Sequence, residues 1–348
     1  MATPVTVKVA LVENVRPHLN ADKLDLCDVL GWQMAVPKGK FTDDMKVVYF
    51  PPDTLLPAKW ADAWGVRNYL KGPNKDRVGK VRLRGEPSFG LAVELPQGQD
   101  WPVGENVADF FGATKYEPPI KAQCGDAERA HPLFPCYTDV ENMRNYPDCF
   151  DVGEEVVATE KVHGTNCRVG LVDGEEMAGS MTTRRKRPES DDAWKGSTYW
   201  QPFLIDGVRE LLQGVAEEYV SQQAVLFGEV FGRSVQSMSY GVDKGKGFGF
   251  VAFDLYVNGR WIDHDDYKAI CDRYDVPTAP VLYRGPFSLE AIKAVSDGPT
   301  VLAGGVHIRE GVVVRPIQER MHPQLGRLIL KYVGDTYLLG KHSDSKDV

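Results

Sequence analysis

The stretch Glu160-Lys161-Val162-His163-Gly164-Thr165-Asn166 carries one lysine out of the apolar run Val156-Val157-Ala158 into a short polar turn. A lysine is a nucleophile only as the free amine, and its unperturbed pKa of about 10.4 keeps it protonated at neutral pH. Partial burial and neighbouring cations disfavour the ammonium and make the amine available. Metal ions and phosphates are the usual company of such a group. Gly164 permits a close approach of backbone, here expected to be toward a ligand, and Asn166 can both donate and accept hydrogen bonds. Two basic runs offer contacts for a polyanion. Residues 67–84 hold seven Lys or Arg against one Asp, and residues 184–187 read Arg-Arg-Lys-Arg.

The elements that must hold these residues fall into two groups. Short strands are expected at 5–15, 24–30, 32–36, 45–50, 79–84 and 88–96, separated by turn residues, which suggests a small β-barrel of the OB type. An SH3-like barrel is the nearest competitor. Residues 113–150, rich in Gly, Pro and polar residues, read as a connecting segment. From 151 a second unit begins. VVATEK is a strand, and CRVGLVDGEEMAGS is a hairpin turning at Asp173-Gly174. Residues 201–223 have apolar residues at 204, 205, 208, 211, 212 and 215, a helical period. AVLFGEVFG, FVAFDLYVNGRWI (turning at Asn258-Gly259), GVVVRP and RLILKYV read as strands, and 264–274 and 288–296 as short helices, the latter capped by Ser288. The fold class is α+β. An amino-terminal OB-type barrel over 1–112 is followed, after 113–150, by a domain of antiparallel sheets with flanking helices over 151–340 and a tail, 341–348.

The chain has 348 residues, 43% hydrophobic and 26% charged, enough to bury a core without disulfide staples. Its six cysteines, Cys27, Cys124, Cys136, Cys149, Cys167 and Cys271, form no CxxC pair and no zinc-finger spacing. They read as reduced thiols of a cytoplasmic protein. The opening residues lack a signal-peptide core, and no run approaches the ~18 apolar residues of a membrane span. The formal charge of -8 argues against a basic coat over the whole surface while leaving room for a local basic groove.

Lys161-Val-His-Gly-Thr-Asn166 resembles motif I of the covalent nucleotidyltransferases, in the form of the RNA ligase 2 and editing-ligase branch. LFGEVFG (226–232) resembles motif III, VAFDLYVNG (251–259) motif IIIa, EGVVVRP (310–316) motif IV and RLILKYV (327–333) motif V, all in the family's order. With the amino-terminal barrel, the resemblance is closest to nick-sealing RNA ligases of the Deinococcus type. It implies an ATP-grasp-like adenylylation domain, ATP with Mg2+ or Mn2+ as cofactors, and a nicked RNA or RNA-containing duplex as partner, with no membrane and no protein partner. The implied reaction joins a 3′-hydroxyl to a 5′-phosphate through lysyl-AMP and AMP-RNA, as in RNA repair. Two other classes share the motifs, a DNA ligase or capping-type nucleotidyltransferase and a non-catalytic RNA-binding protein.

The same resemblance implies residue roles. Lys161 is the covalent nucleophile, Glu310 a catalytic carboxylate and metal ligand, and Lys331 a neutraliser of the α-phosphate. Glu160 meets the adenine amino group through its carbonyl or carboxylate. His163 either pins the turn or acts directly, and Asn166 contacts ribose or metal-bound water. Glu229 holds the ribose hydroxyls, Phe253 stacks on adenine, and Asp254 stands beside it. Arg184 or Arg185 contacts the 5′-phosphate or AMP. Two positions depart from the family pattern. Ile329 stands at the first motif V lysine, with Arg327 a candidate to reach the same phosphate, and Arg315 stands at the motif IV lysine, where the resemblance implies a contact with the nucleotide.

Overall fold

The computed structural model describes residues 5–117, 125–190, 196–232, 234–242, 245, 247–305 and 307–340. Two compact units result. One comprises the described residues up to Glu117 with Asn142–Pro147 and Leu338–Gly340, and the other Gly125–Glu141 with Asp148–Tyr337. Residues 113–150 are therefore no simple linker, because pieces of them belong to each unit. The expected tail 341–348 and Cys124 lie outside the described residues.

The amino-terminal unit is built on β1 (Lys8–Pro17), β2 (Leu24–Val29), β3 (Trp32–Pro37), β4 (Lys46–Phe50) and β5 (Leu91–Glu94), in spatial order β3-β2-β1-β4-β5. All the pairings are antiparallel. The expected strand 88–96 breaks at Gly90, whose φ of 79° is left-handed and whose Cβ would meet Phe50 carbonyl oxygen at 2.7 Å. Its first half pairs instead with Lys80–Leu83 as a separate hairpin. Among the described residues β3 and β5 are the outer strands of this half-barrel sheet, which lies over a core of Val7, Val9, Val48, Phe50 and Phe111.

In the second unit, β6 (Glu155–Lys161), β7 (Thr165–Val172), β8 (Glu175–Ser180), β9 (Arg184–Arg185), β10 (Gln223–Phe231), β11 (Gly249–Val257), β12 (Val281–Pro286), β13 (Gly311–Pro316) and β14 (Leu330–Val333) make two sheets. One contains β9-β8-β7-β10-β11 in that order, the other β14-β13-β6-β12. The hairpin turns stand where the sequence predicts them, with positive φ at Asp173 and Gly174 and at Asn258 and Gly259. The helix begins later than its apolar period suggests. Residues Gln201–Leu204 form a 3-10 turn, Gly207 takes φ 88°, and α1 runs only over Val208–Glu218. It buries Val208, Leu211, Leu212 and Val215 against the face of β7 and β10 carrying Cys167, Val169 and Leu226. α2 (His264–Arg273) and α3 (Leu289–Ser296) follow, and the Ser288 hydroxyl accepts from the Ala291 N–H at 3.4 Å as the predicted cap. α4 (Asp335–Leu339) closes the chain's described part.

Candidate active site

Lys161 is the last residue of β6, paired with Gly311 at the start of β13. Glycine is required at 311 because a Cβ would meet the Tyr332 carbonyl oxygen at 2.2 Å. That close packing puts the preceding residue, Glu310, beside the lysine. The Lys161 ammonium pairs with Glu310 Oε1; the lysine side chain is 25% exposed and the glutamate 0%. His163 Nδ1 lies 3.2 Å from Glu310 Oε2. Burial pushes the Glu310 carboxyl up, but Lys161 and His163 outweigh burial and hold it below the usual range. His163 is otherwise enclosed, with the Tyr337 hydroxyl 3.3 Å from Nδ1 and the Ser237 hydroxyl 3.4 Å from Nε2.

Beside Lys161 opens a cleft of about 230 Å³ between the two sheets. Thr159, Glu160, Lys161, Asn166, Glu229, Phe253, Ile329 and Lys331 all line it, so strand ends far apart in sequence converge there. Gly164 makes the approach possible, though not toward a ligand as expected. A Cβ there would meet the Val230 carbonyl oxygen at 2.2 Å, so the glycine lets the start of β7 close onto β10. Asn166 and Glu229 are then cross-strand partners. The Asn166 Oδ1 atom is buried without a hydrogen-bond partner among the described residues. Burial raises Glu229 to about 8, against the pull of Lys161 and a hydrogen bond from the Gly164 N–H. Burial and the nearby Lys161 charge lower Lys331, while Glu310, Asp139 and Glu141 work the other way. Phe253 is the extra residue of a β-bulge, since Phe227 pairs with Asp254 and Gly228 with Ala252. Such a bulge re-aims one side chain, and here the ring lines the cleft.

Several of the expected site residues have other partners in the structure. Asp254 is 0% exposed, and its carboxylate accepts from Arg315 at 2.9 Å, Arg327 at 2.7 Å and the Tyr137 hydroxyl at 2.8 Å. Arg315 borders the cleft, but its guanidinium is spent on Asp254 and on the Phe253 carbonyl at 3.0 Å. Arg327, a candidate phosphate contact, is likewise held by Glu319 and Asp254. Buried charges persist only when paired, so these residues form a support behind Phe253 rather than a ligand surface. Arg184 and Arg185 do not reach the cleft. They pair with Glu128 at 3.0 Å and Asp126 at 2.7 Å along the sheet edge. The carboxylate of Glu160 is taken by the Thr300 hydroxyl and the Val301 N–H, leaving its main chain toward the cleft. The sequence reading missed Tyr137, Thr138, Asp139 and Val140, which form one wall of the cleft. Their signal is faint, because Tyr-Thr-Asp-Val has neither a strand nor a helix period and lies in a stretch that reads as a connector.

The donor set suits a divalent cation that keeps most of its water. Glu229 and Asn166 line the cleft, the Asn166 Oδ1 is buried with no hydrogen-bond partner among the described residues, and Glu310 pairs with Lys161. Among the described residues no cluster of three or more His, Cys, Asp or Glu forms a metal cage.

The model of the RNA ligase family matches residues 154–333, just over half of the chain and the whole of this cleft apart from the Tyr137–Val140 wall. The chain belongs to the RNA ligase family. It is an RNA ligase by family and is similar in fold to several structures of Naegleria gruberi RNA ligase. An arginine-to-alanine variant of that protein with ATP and manganese is 24% identical, with 99% of each chain covered and a TM-score of 0.67. A lysine-to-alanine variant without ligand is 23% identical over 97% of this chain and 98% of that one, with a TM-score of 0.69. A lysine-to-methionine variant with AMP and manganese is 22% identical over 96% and 97%, with a TM-score of 0.67. At these identities the likeness establishes the fold of the RNA ligase and nothing finer. No curated protein matches the chain.

Proposed function

We propose that the chain uses ATP to join a 3′-hydroxyl to a 5′-phosphate at nicks in duplexes with RNA on the 3′-hydroxyl side. The observation that carries this reading is the amine of Lys161, which lines the cleft, pairs with buried Glu310 and feels the charge of a second lining cation, Lys331. The Lys161 ammonium gives up its proton to water, and the free amine attacks the α-phosphorus of ATP, losing a second proton as it does so. An N–P bond forms, the bond to the β-phosphate oxygen breaks, and pyrophosphate leaves. The RNA 5′-phosphate then takes AMP from the lysine, and the 3′-hydroxyl displaces AMP from the activated end. Lys331 neutralises charge on the α-phosphate, Phe253 stacks on the base, the Glu160 main chain meets its edge, and Glu229 and Asn166 hold the ribose. Glu310 and Asn166 would hold Mg2+ or Mn2+ through water, and the ion when bound offsets phosphate charge. The ATP and manganese of the Naegleria structures support this assignment.

The amino-terminal unit we read as an OB-type barrel of the Deinococcus-type arrangement, supported by its five-strand order. It grips the duplex beside the break. The 67–84 run is less available for this than its charge suggests. Arg67 pairs with Asp62, Arg77 lies over the Tyr116 ring, and Lys80 and Arg82 bind main-chain carbonyls at Leu338, Leu339 and Gly340. Exposed Arg84 and Lys75, the latter donating to Asn68 Oδ1 at 3.3 Å on the surface, are the candidates for phosphate contacts.

Labelling with ATP or GTP carrying radioactive α-phosphate, followed by sealing of all-DNA and 3′-ribose nicks, tests the reading. ATP-dependent label and preference for the 3′-ribose nick are expected. GTP labelling would indicate a capping-type enzyme, preference for all-DNA nicks a DNA ligase, and RNA binding without label a non-catalytic protein.

A further inference from the structure

The connection from β10 to β11, residues 232–248, is longer than a hairpin needs. Ser237 and Tyr240, from its described residues 234–242, reach the turn that follows Lys161. The Tyr240 hydroxyl oxygen accepts from the main-chain N–H of His163 at 2.8 Å, and both residues are buried. Tyr240 does this from a costly backbone conformation. The Val242 N–H donates to the Ser239 carbonyl at 2.8 Å, closing a four-residue turn. Both central residues have positive φ, 45° at Tyr240 and 80° at Gly241. Such turns normally take Gly, Asn or Asp at these places, because a bulky side chain is strained there. The turn is locked from outside, since His307 Nε2 accepts from the Ser239 N–H at 3.0 Å. The Tyr240 ring stands edge-on to Phe231 and His307, at 5.2 and 5.8 Å. Strain kept at a buried aromatic implies a task that cheaper turn residues would not perform.

We infer that Tyr240 is a positioning residue for transfer of AMP to Lys161, fixing the turn Val162–Gly164 through the His163 amide so that the amine leaves β6 in one direction. This rests on the ligase reading above. Tyr240→Phe keeps the ring and removes the acceptor. The rate of lysyl-AMP formation at saturating ATP is expected to fall about tenfold, the scale of one buried hydrogen bond. KM for ATP should stay within about twofold, since the base and ribose contacts are untouched. Amide hydrogen exchange at His163 should quicken while the melting temperature holds. An unchanged labelling rate in Tyr240→Phe beside a labelled wild type would overturn this inference alone. A rate loss that merely follows a loss of folded protein would overturn it too. Absence of label on the wild type would overturn the ligase reading and this inference with it.

Discussion

Lys161 and Glu310 form their ion pair close to a second cation, Lys331, and a second carboxyl, Glu229. Burial pushes the Glu229 carboxyl up to about 8, above the ~4.3 of an unfolded glutamate. The folded chain therefore holds that proton more tightly than the unfolded one. Its contribution to stability is complete below about pH 4 and is lost as pH rises toward 8. For the nucleotide-free protein, Glu229→Gln should melt higher than wild type at pH 9, with the gap closing toward pH 5. A gap equal at both pH values would contradict the assignment. Residue type and order along the chain are enough to single out Lys161, Glu229, Glu310 and Lys331. They do not show which way each side chain faces. Asp254 follows Phe253 in one motif, yet a bulge sends the ring to the cleft while the carboxylate is tied to two arginines.

Strand contacts explain why certain residues cannot vary. Gly164→Ala would drive a Cβ into the Val230 carbonyl at the β7–β10 contact. Overpacking of this kind costs about 1–3 kcal/mol, and it should also displace Asn166 and Glu229. Urea denaturation and lysine labelling should therefore both suffer. Asp254→Asn would leave Arg315 and Arg327 without their shared carboxylate, a loss of about 3–5 kcal/mol for a buried pair. If Asp254 instead touched the nucleotide, KM for ATP would rise with little change in stability. The elements themselves were largely readable from period and turn residues. The helix at 201–223 was overextended because apolar spacing continues through a 3-10 turn that Gly207 separates from α1. The Tyr137–Val140 wall was lost in a Gly- and Pro-rich segment, since its place depends on tertiary contacts such as Tyr137 with Asp254.

Across the whole molecule, the proposed reading gives chemistry to one unit and grip to the other. Lys75→Ala with Arg84→Ala should weaken binding to a nicked duplex and flatten its salt dependence by about one unit of slope per lost phosphate contact. Lysyl-AMP formation should stay at the wild-type level. A matching loss of labelling would show that these residues serve the fold rather than the duplex. Net charge was a poor guide here, because -8 overall hides basic residues, and sequence alone could not tell which of those already have partners. The central claim stands or falls with the amine of Lys161. Incubation with α-labelled ATP and magnesium or manganese, then peptide mapping by mass spectrometry, tests it most directly. AMP should be found on Lys161, and Lys161→Ala should carry none. Label of equal strength on Lys161→Ala, or AMP mapped to another residue, would contradict the account.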